Sequence, residues 1–281
     1  MTPPVTAAVL LAAVTHACWN AIAHHIKDKL VGFTLIAGGG MLIGLAMTPF
    51  VPVPAADAWP YLIASAVIHL VYYLLLMKSF RLGDFGQAYP IARGTAPLVV
   101  TLLAAVFAHE VPDGWAAAGI ALSCAGLTGV ALWGLRGRRP PWAAIGAALA
   151  TGLTIAAYSV VDGLGVRASG SSLGYIAWLM AVQGGTIPAY ALYRWRGELV
   201  GVLRPFAGVG VLGAALSVSA YGLVLWAQTR AELAPIAALR ESSIIVGAAI
   251  GAVFFKERFG VPRIAAAGLL VVGIGLMLHA G

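Results

Sequence analysis

Four charged residues lie inside long apolar stretches of this sequence: Arg93, Asp162, Arg240 and Glu241. A charge in a hydrocarbon-facing helix costs about 2.5–3.5 kcal/mol on insertion scales, so such residues turn inward and find partners. An arginine in that setting can fork onto a carboxylate through two parallel hydrogen bonds. An acid can carry a proton or close a gate. Arg93 is therefore a candidate to hold a substrate carboxylate, its alternative use being an ion pair that locks helices together. Asp162, Arg240 and Glu241 are candidates for gating and coupling. By their place along the apolar stretches, Arg93 and Arg240 are expected towards opposite mouths of the protein. Asp162 is expected at the same mouth as Arg240, so these two would form a closing pair. Glu241 follows Arg240 directly, and about 100° of helical rotation separates neighbours, which makes it the poorer partner for Arg240.

Aromatic and polar side chains recur in the same stretches. His16, Trp19 and Asn20 lie on the first, where His16 and Asn20 are four apart and share a helical face. His69 and Tyr73 repeat that spacing on the third. Tyr89, Tyr158, Trp178, Gln183 and Tyr221 complete the candidates for lining a binding cavity, with interhelical hydrogen bonding as their alternative use. His16 and His69 join Asp162 and Glu241 as candidate proton carriers. No catalytic residue or metal site is expected. The loop pair His24-His25 has no Cys, Asp or Glu at ligand spacing, and Cys18 and Cys124 read as small buried apolar residues. The sequence lacks HExxH, GxSxG, Walker and dinucleotide-binding signatures, so neither an enzyme nor a cofactor is expected.

The elements that must position these residues follow from composition. The chain has 281 residues, 61% of them hydrophobic and 10% charged. A soluble domain carries about 25% charged residues, so most of this surface must face lipid. A spanning helix needs about 20 mainly apolar residues. That length divides the chain into expected spans at 5–23, 31–51, 58–78, 86–108, 114–134, 142–162, 171–193, 206–228, 233–255 and 262–280. Before the first run stands Met-Thr-Pro-Pro, without the positive charge of a signal peptide, so this run is expected to be a retained helix. Small pairs such as Gly40/Gly44 and Gly247/Gly251 are expected to let helices approach closely. The net charge of +7 is read as loop charge rather than a nucleic-acid surface.

The chain also repeats itself. Arg93–Glu110 aligns without a gap on Arg240–Glu257, matching the arginines, Val99 with Val246, Ala105-Val106-Phe107 with Ala252-Val253-Phe254, and the glutamates. A weaker match sets Thr15-x-Ala17 against Thr154-x-Ala156. Five spans per half would insert with opposite orientation, and inverted repeats are a frequent build of secondary transporters. The expected fold is an all-α membrane protein of ten transmembrane helices in two inverted five-helix repeats around a central cavity. The first repeat covers 1–135, a basic linker 136–141, and the second repeat 142–281.

The chain resembles the drug/metabolite transporter superfamily, in its ten-helix EamA-type branch. The resemblance rests on His16-Ala17-Cys18-Trp19-Asn20-Ala21, on Tyr89-Pro90-Ile91-Ala92-Arg93-Gly94-Thr95-Ala96-Pro97, and on Ile155 to Gly165. Leu239-Arg240-Glu241-Ser242-Ser243, followed by Phe255-Lys256-Glu257-Arg258, completes it. It implies a basket of ten helices, alternating access, and substrates ranging from amino acids to drugs and nucleotide sugars. The expected function is a secondary exporter of amino acids or similar zwitterionic metabolites. A multidrug or lipid-linked-sugar translocator of the same fold is the alternative, and a membrane sensor or enzyme the reading from a different class. The expected partners are a small-molecule substrate and membrane lipids, with no nucleic acid and a monomeric state.

Orientation follows from the loops. Lys27, Lys29, Lys78, Arg81, Arg136, Arg138, Arg139, Arg194, Arg196, Arg204, Lys256, Arg258 and Arg263 fall on one side of the expected spans, and only Arg167 and Arg230 on the other. Basic loops stay in the cytoplasm. Both termini are therefore expected outside it, in a cell (inner) membrane, although many exporters of this family are described with cytoplasmic termini. With Cys18 and Cys124 first replaced, a cysteine in the 136–141 loop should be shielded from a membrane-impermeant thiol reagent in intact cells. A cysteine at position 281 should label, and the reverse pattern would invert the topology.

Overall fold

In hydrocarbon every backbone N–H and C=O must find its partner within the protein, and an apolar chain meets that demand by coiling into helices. The computed structural model describes residues 1–82, 85–133, 142–254 and 261–279. Among them there is no strand. The α-helices are α1 Pro3–His25, α2 Lys29–Met47, α3 Trp59–Leu82, α4 Phe85–Phe107 and α5 Gly114–Trp133. They continue as α6 Trp142–Ala168, α7 Ser172–Gln183, α8 Thr186–Trp195, α9 Leu199–Leu203 and α10 Ala207–Gln228. The last three are α11 Leu233–Arg240, α12 Ser243–Phe254 and α13 Val261–His279. Among the described residues, five stretches are long and apolar enough to cross a bilayer: Pro3–Ala23, Lys29–Phe50, Ala56–Ser79, Trp142–Ala168 and Ser172–Gln228. Large apolar side chains such as Leu42, Leu102 and Val106 lie on the surface, an arrangement that suits lipid and not water.

Two of the expected spans are interrupted. The stretch 171–193 divides into α7 and α8 at Gly184-Gly185. A Cβ on Gly184 would stand 2.6 Å from the Ala37 carbonyl oxygen, so the glycine lets α2 come against the break. The stretch 233–255 divides into α11 and α12 at Glu241-Ser242. There Glu241, Ser242, Ile244 and Ile245 donate to the carbonyl three residues back instead of four. This tightened turn coincides with a pair of serines, whose hydroxyls compete with backbone partners inside helices. The first interruption is not visible in the apolar pattern; the second falls in the polar run Arg240-Glu241-Ser242-Ser243.

Packing divides the chain into two compact units. One comprises residues 1–10, 71–160 and 230–281; the other comprises 11–70 and 161–229. Each takes residues from both sides of the 136–141 linker, which itself lies outside the described residues. In the first unit α5 packs along α13 and against α4, and α11 packs against α4. In the second, α2 packs against α7, α8 and α10. Its apolar core gathers Ala58, Leu62, Val166, Tyr175, Ile176, Leu179, Met180 and Leu225.

Close approach between helices rests on particular glycines. A Cβ on Gly44 of α2 would meet the Ala177 carbonyl oxygen at 2.7 Å and the Ala181 nitrogen at 2.8 Å on α7. Gly40, its expected companion, has ordinary contact with Val218 and Met180. Gly247 has nothing within 4 Å among the described residues, and the surroundings of its expected companion Gly251 lie outside them. Overpacking a tight site costs about 1–3 kcal/mol. Gly44→Ala should lower the melting temperature of the purified protein. Gly146→Ala, on an exposed face of α6 with open space around it, should leave the melting temperature unchanged or raise it, by up to about 1 kcal/mol of helix propensity. Equal effects of the two substitutions, measured side by side, would remove this account of the α2–α7 contact.

Candidate functional site

The first unit holds a charge cluster at the break between α11 and α12. Arg93 Nε on α4 lies 2.7 Å from Glu241 Oε2. Its Nη2 donates to Ser243 Oγ at 3.0 Å, the first residue of α12. Arg93, Arg240, Glu241 and Ser243 are all buried. The local build explains the placement. Gly94 lets α4 lie close against Leu127 of α5, and a Cβ on Gly152 would stand 2.7 Å from the Ala92 carbonyl, so α6 presses on the same turn of α4. At the other end of α11, Glu110 Oε2 accepts the Leu233 N–H at 2.7 Å and so satisfies one of the helix's unpaired N-terminal donors. The chain reaches that position through His109, whose φ of 55° is in the left-handed region, and Glu110 N returns to the Ala104 carbonyl at 3.1 Å. Glu110 thus caps α11, while its repeat counterpart Glu257 lies outside the described residues.

One expectation is corrected here. Arg93 and Arg240 do not sit apart at opposite mouths. Arg93 pairs with the residue next to Arg240, so both arginines belong to one cluster around a single buried glutamate. The apolar pattern placed each arginine along its own helix but carried no information on how α4 and α11 cross. Arg240 Nε and Nη2, and Glu241 Oε1, have no hydrogen-bond partner among the described residues.

The second unit holds a different cluster, around Asp162 of α6. Tyr175 donates to Asp162 Oδ1 at 2.9 Å, and Tyr221 donates to Oδ2. The Ser65 hydroxyl also bonds this carboxyl group. His69 Nδ1 lies 3.1 Å from Ser65 Oγ and 3.0 Å from the Ser65 carbonyl oxygen. The His69 ring meets Tyr221 edge-on, with centroids 5.6 Å apart. Tyr175 reaches Asp162 because Gly170, at φ 72°, turns the chain after α6 and Ser171 caps α7 through the Gly174 N–H. Gly165 leaves room on α6 for the Tyr175 ring.

Asp162 and Arg240, expected to pair, belong to different compact units. The other candidates are placed as follows. On α1, Trp19 Nε1 donates to His16 Nδ1 at 3.3 Å, and Asn20 Nδ2 to the His16 carbonyl at 2.8 Å. Trp19 is itself buried against Ala23, Ile36 and Ala220. Tyr72 stacks with both Tyr73 and Tyr158. Trp178 lies edge-on to Trp59, 5.4 Å between centroids, and both pack against the core of the second unit. Gln183, at the end of α7, is buried and donates to Met180 Sδ. Its Oε1 and Trp178 Nε1 have no hydrogen-bond partner among the described residues. The Tyr89 side chain lies outside them.

Sequence reasoning missed Tyr175, Ser65 and Ser243 as members of these clusters. Ser65 had a usable signal, since it stands four residues before His69 on α3. Tyr175 had only its position one turn into a helix, and Ser243 was read as part of a motif without a role.

A solved crystal structure of another protein matches the fold at a TM-score of 0.74, covering 100% of this chain and 99% of that one at 15% sequence identity. No curated protein matches the sequence. Residues 5–132 match the model of the EamA-like transporter family. Together with the apolar helices, that match indicates a multi-pass membrane protein whose residues 5–132 are similar to the EamA-like transporter family, consistent with the drug/metabolite transporter superfamily that the sequence resembles.

Proposed function

We propose that this protein is a secondary transporter, an exporter of amino acids or similar small zwitterionic metabolites, working by alternating access in the cell (inner) membrane. The observation that carries the reading is the set of four ionisable side chains buried within apolar helices: Arg93, Asp162, Arg240 and Glu241. Charges of both signs at that depth are costly, and zwitterion recognition is a use that needs both. A cationic drug would call for the acid alone. Energy comes from the substrate gradient or from proton exchange, for which the His69–Ser65–Asp162 chain is the natural carrier.

The architecture proposed for this work is ten helices in two inverted repeats, 1–135 and 142–281, around a central cavity. Three observations support it. The family match ends at residue 132, close to the end of the first repeat. Glu241, which follows the repeat counterpart of Arg93, is also Arg93's ion-pair partner, as happens near an axis relating two halves. The α5–α13 contact is reciprocal under the offset of 147 that carries Arg93 onto Arg240. Gly119 faces Gly273, and Gly126, which corresponds to Gly273, faces Ala266, which corresponds to Gly119. Self-complementary contact of this kind is what a two-fold relation produces.

Purified protein in liposomes should exchange at least one labelled amino acid for unlabelled amino acid inside. Exchange confined to cationic drugs or to lipid-linked sugars would replace this reading by the alternative translocator. Arg93 is tested separately. Removing one member of a buried ion pair costs about 3–5 kcal/mol because the other is left unpaired. Arg93→Met and Glu241→Gln should each destabilise the protein. The double variant should lose much less than the two singles together. Additive losses would show that the pair does not hold α4 to α11, and would return Arg93 to direct contact with substrate.

A further inference from the structure

Two guanidinium groups and one carboxylate do not balance. Arg93 is engaged by Glu241 and Ser243, and Glu241 has its Oε2 on Arg93. Arg240 is 4% exposed, and neither its Nε nor its Nη2 has a hydrogen-bond partner among the described residues. Every other residue of α11 is buried and apolar. A buried guanidinium with two idle donors is among the costliest groups a protein can keep, and it is kept where something else supplies the acceptors. The break in the helix adds to the case. Arg240 is the last residue of α11, directly before the tightened turn at Glu241-Ser242. Discontinuous helices of this kind are where membrane transporters present donors and helix ends to charged ligands.

We propose that Arg240 is the oxyanion-binding residue of this protein, accepting a carboxylate or phosphate group between its Nε and Nη2 donors, and that the Arg93–Glu241 pair positions it. Nε and one terminal nitrogen of a guanidinium form one edge of the fork, spaced to meet two oxygens of a single oxyanion. Glu241 holds the neighbouring turn through Arg93, and Glu110 fixes the far end of α11. Bound anion would bring the cluster to two positive and two negative charges. That the anion is the carboxylate of a transported amino acid rests on the function proposed above; the anion site itself does not.

The test uses the full-length protein in detergent, titrated with acetate and separately with inorganic phosphate against chloride at constant ionic strength, with the melting temperature as readout. Wild type should show a saturable rise with at least one of the two oxyanions. Arg240→Lys should weaken the apparent affinity about tenfold, because it keeps the charge and loses the fork. Arg240→Gln should abolish the response. In chloride alone, Arg240→Gln and Arg240→Met should melt at the same temperature as wild type or higher, since each removes a buried charge that Glu241, already bonded to Arg93, offsets only in part. Saturable stabilisation that survives Arg240→Gln, or its absence from wild type with both oxyanions, would overturn the proposal. So would misfolding or a lower melting temperature of both neutral variants in chloride, which would make Arg240 structural. If the oxyanion response follows Arg240 and liposomes exchange no amino acid, the site stands and the amino-acid reading falls.

Discussion

The constraint on which the rest depends is the cost of charge in a helix that has lipid for a neighbour. Arg93 and Glu241 meet at 2.7 Å inside the first unit, with no water-facing surface to relieve either. Removing one would leave the other stranded, so the two helices that carry them are tied in register as well as in contact. The pair also explains the turn in which Glu241 sits. Arg93 reaches across to both Glu241 and Ser243, and the backbone between them tightens to bonds of three residues' span. The helix gives up regularity at the place where its side chains are claimed from outside.

Asp162 shows the other solution to the same problem. Its carboxyl group is met by hydroxyls from Tyr175, Tyr221 and Ser65 rather than by a cation. A hydroxyl can donate to a carboxylate and can also accept, so it satisfies a buried acid without adding a second charge. A guanidinium brings Glu241 a counter-charge; the hydroxyls bring Asp162 hydrogen bonds without one. The two clusters thus satisfy buried acids by different means, one with a cation and one with neutral donors.

How much of this was legible in the sequence follows from what each feature depends on. The helical class came from composition, because apolar residues in such excess leave few options in lipid. The buried charges were legible for the same reason: Arg93, Asp162, Arg240 and Glu241 stand out against an apolar background, and all four are buried. Their pairing was not legible. A span assigned by hydropathy fixes depth along one helix and says nothing about which neighbour it crosses, so Arg93 and Arg240 were placed apart when Glu241 brings them into one cluster. The break at Gly184-Gly185 was hidden inside a run apolar enough to pass as continuous, whereas Arg240-Glu241-Ser242-Ser243 is a polar run that a span assigned by length passes through. Gly44 was legible as a small residue, but only the approach of α7 distinguishes it from Gly40 and Gly247.

The glycines and the charges answer to one geometric demand. Arg93 can reach Glu241 only if α4 and α11 lie close, and the packing behind α4 is set by Gly94 against α5 and Gly152 on α6. Behind α5, Gly119 and Gly126 admit α13 on the face that Gly273 and Ala266 complete. Each layer depends on the missing side chain of the layer before it. An added methyl at Gly152 would first push on Ala92, one residue from Arg93, and be felt in the ion pair. In a membrane protein, where apolar contact with lipid is as good as apolar contact with a helix, close packing and buried polar pairs are what remain to choose one arrangement over another. Here the close packing brings the polar pairs within reach, and the polar pairs give the packing a reason to be unique.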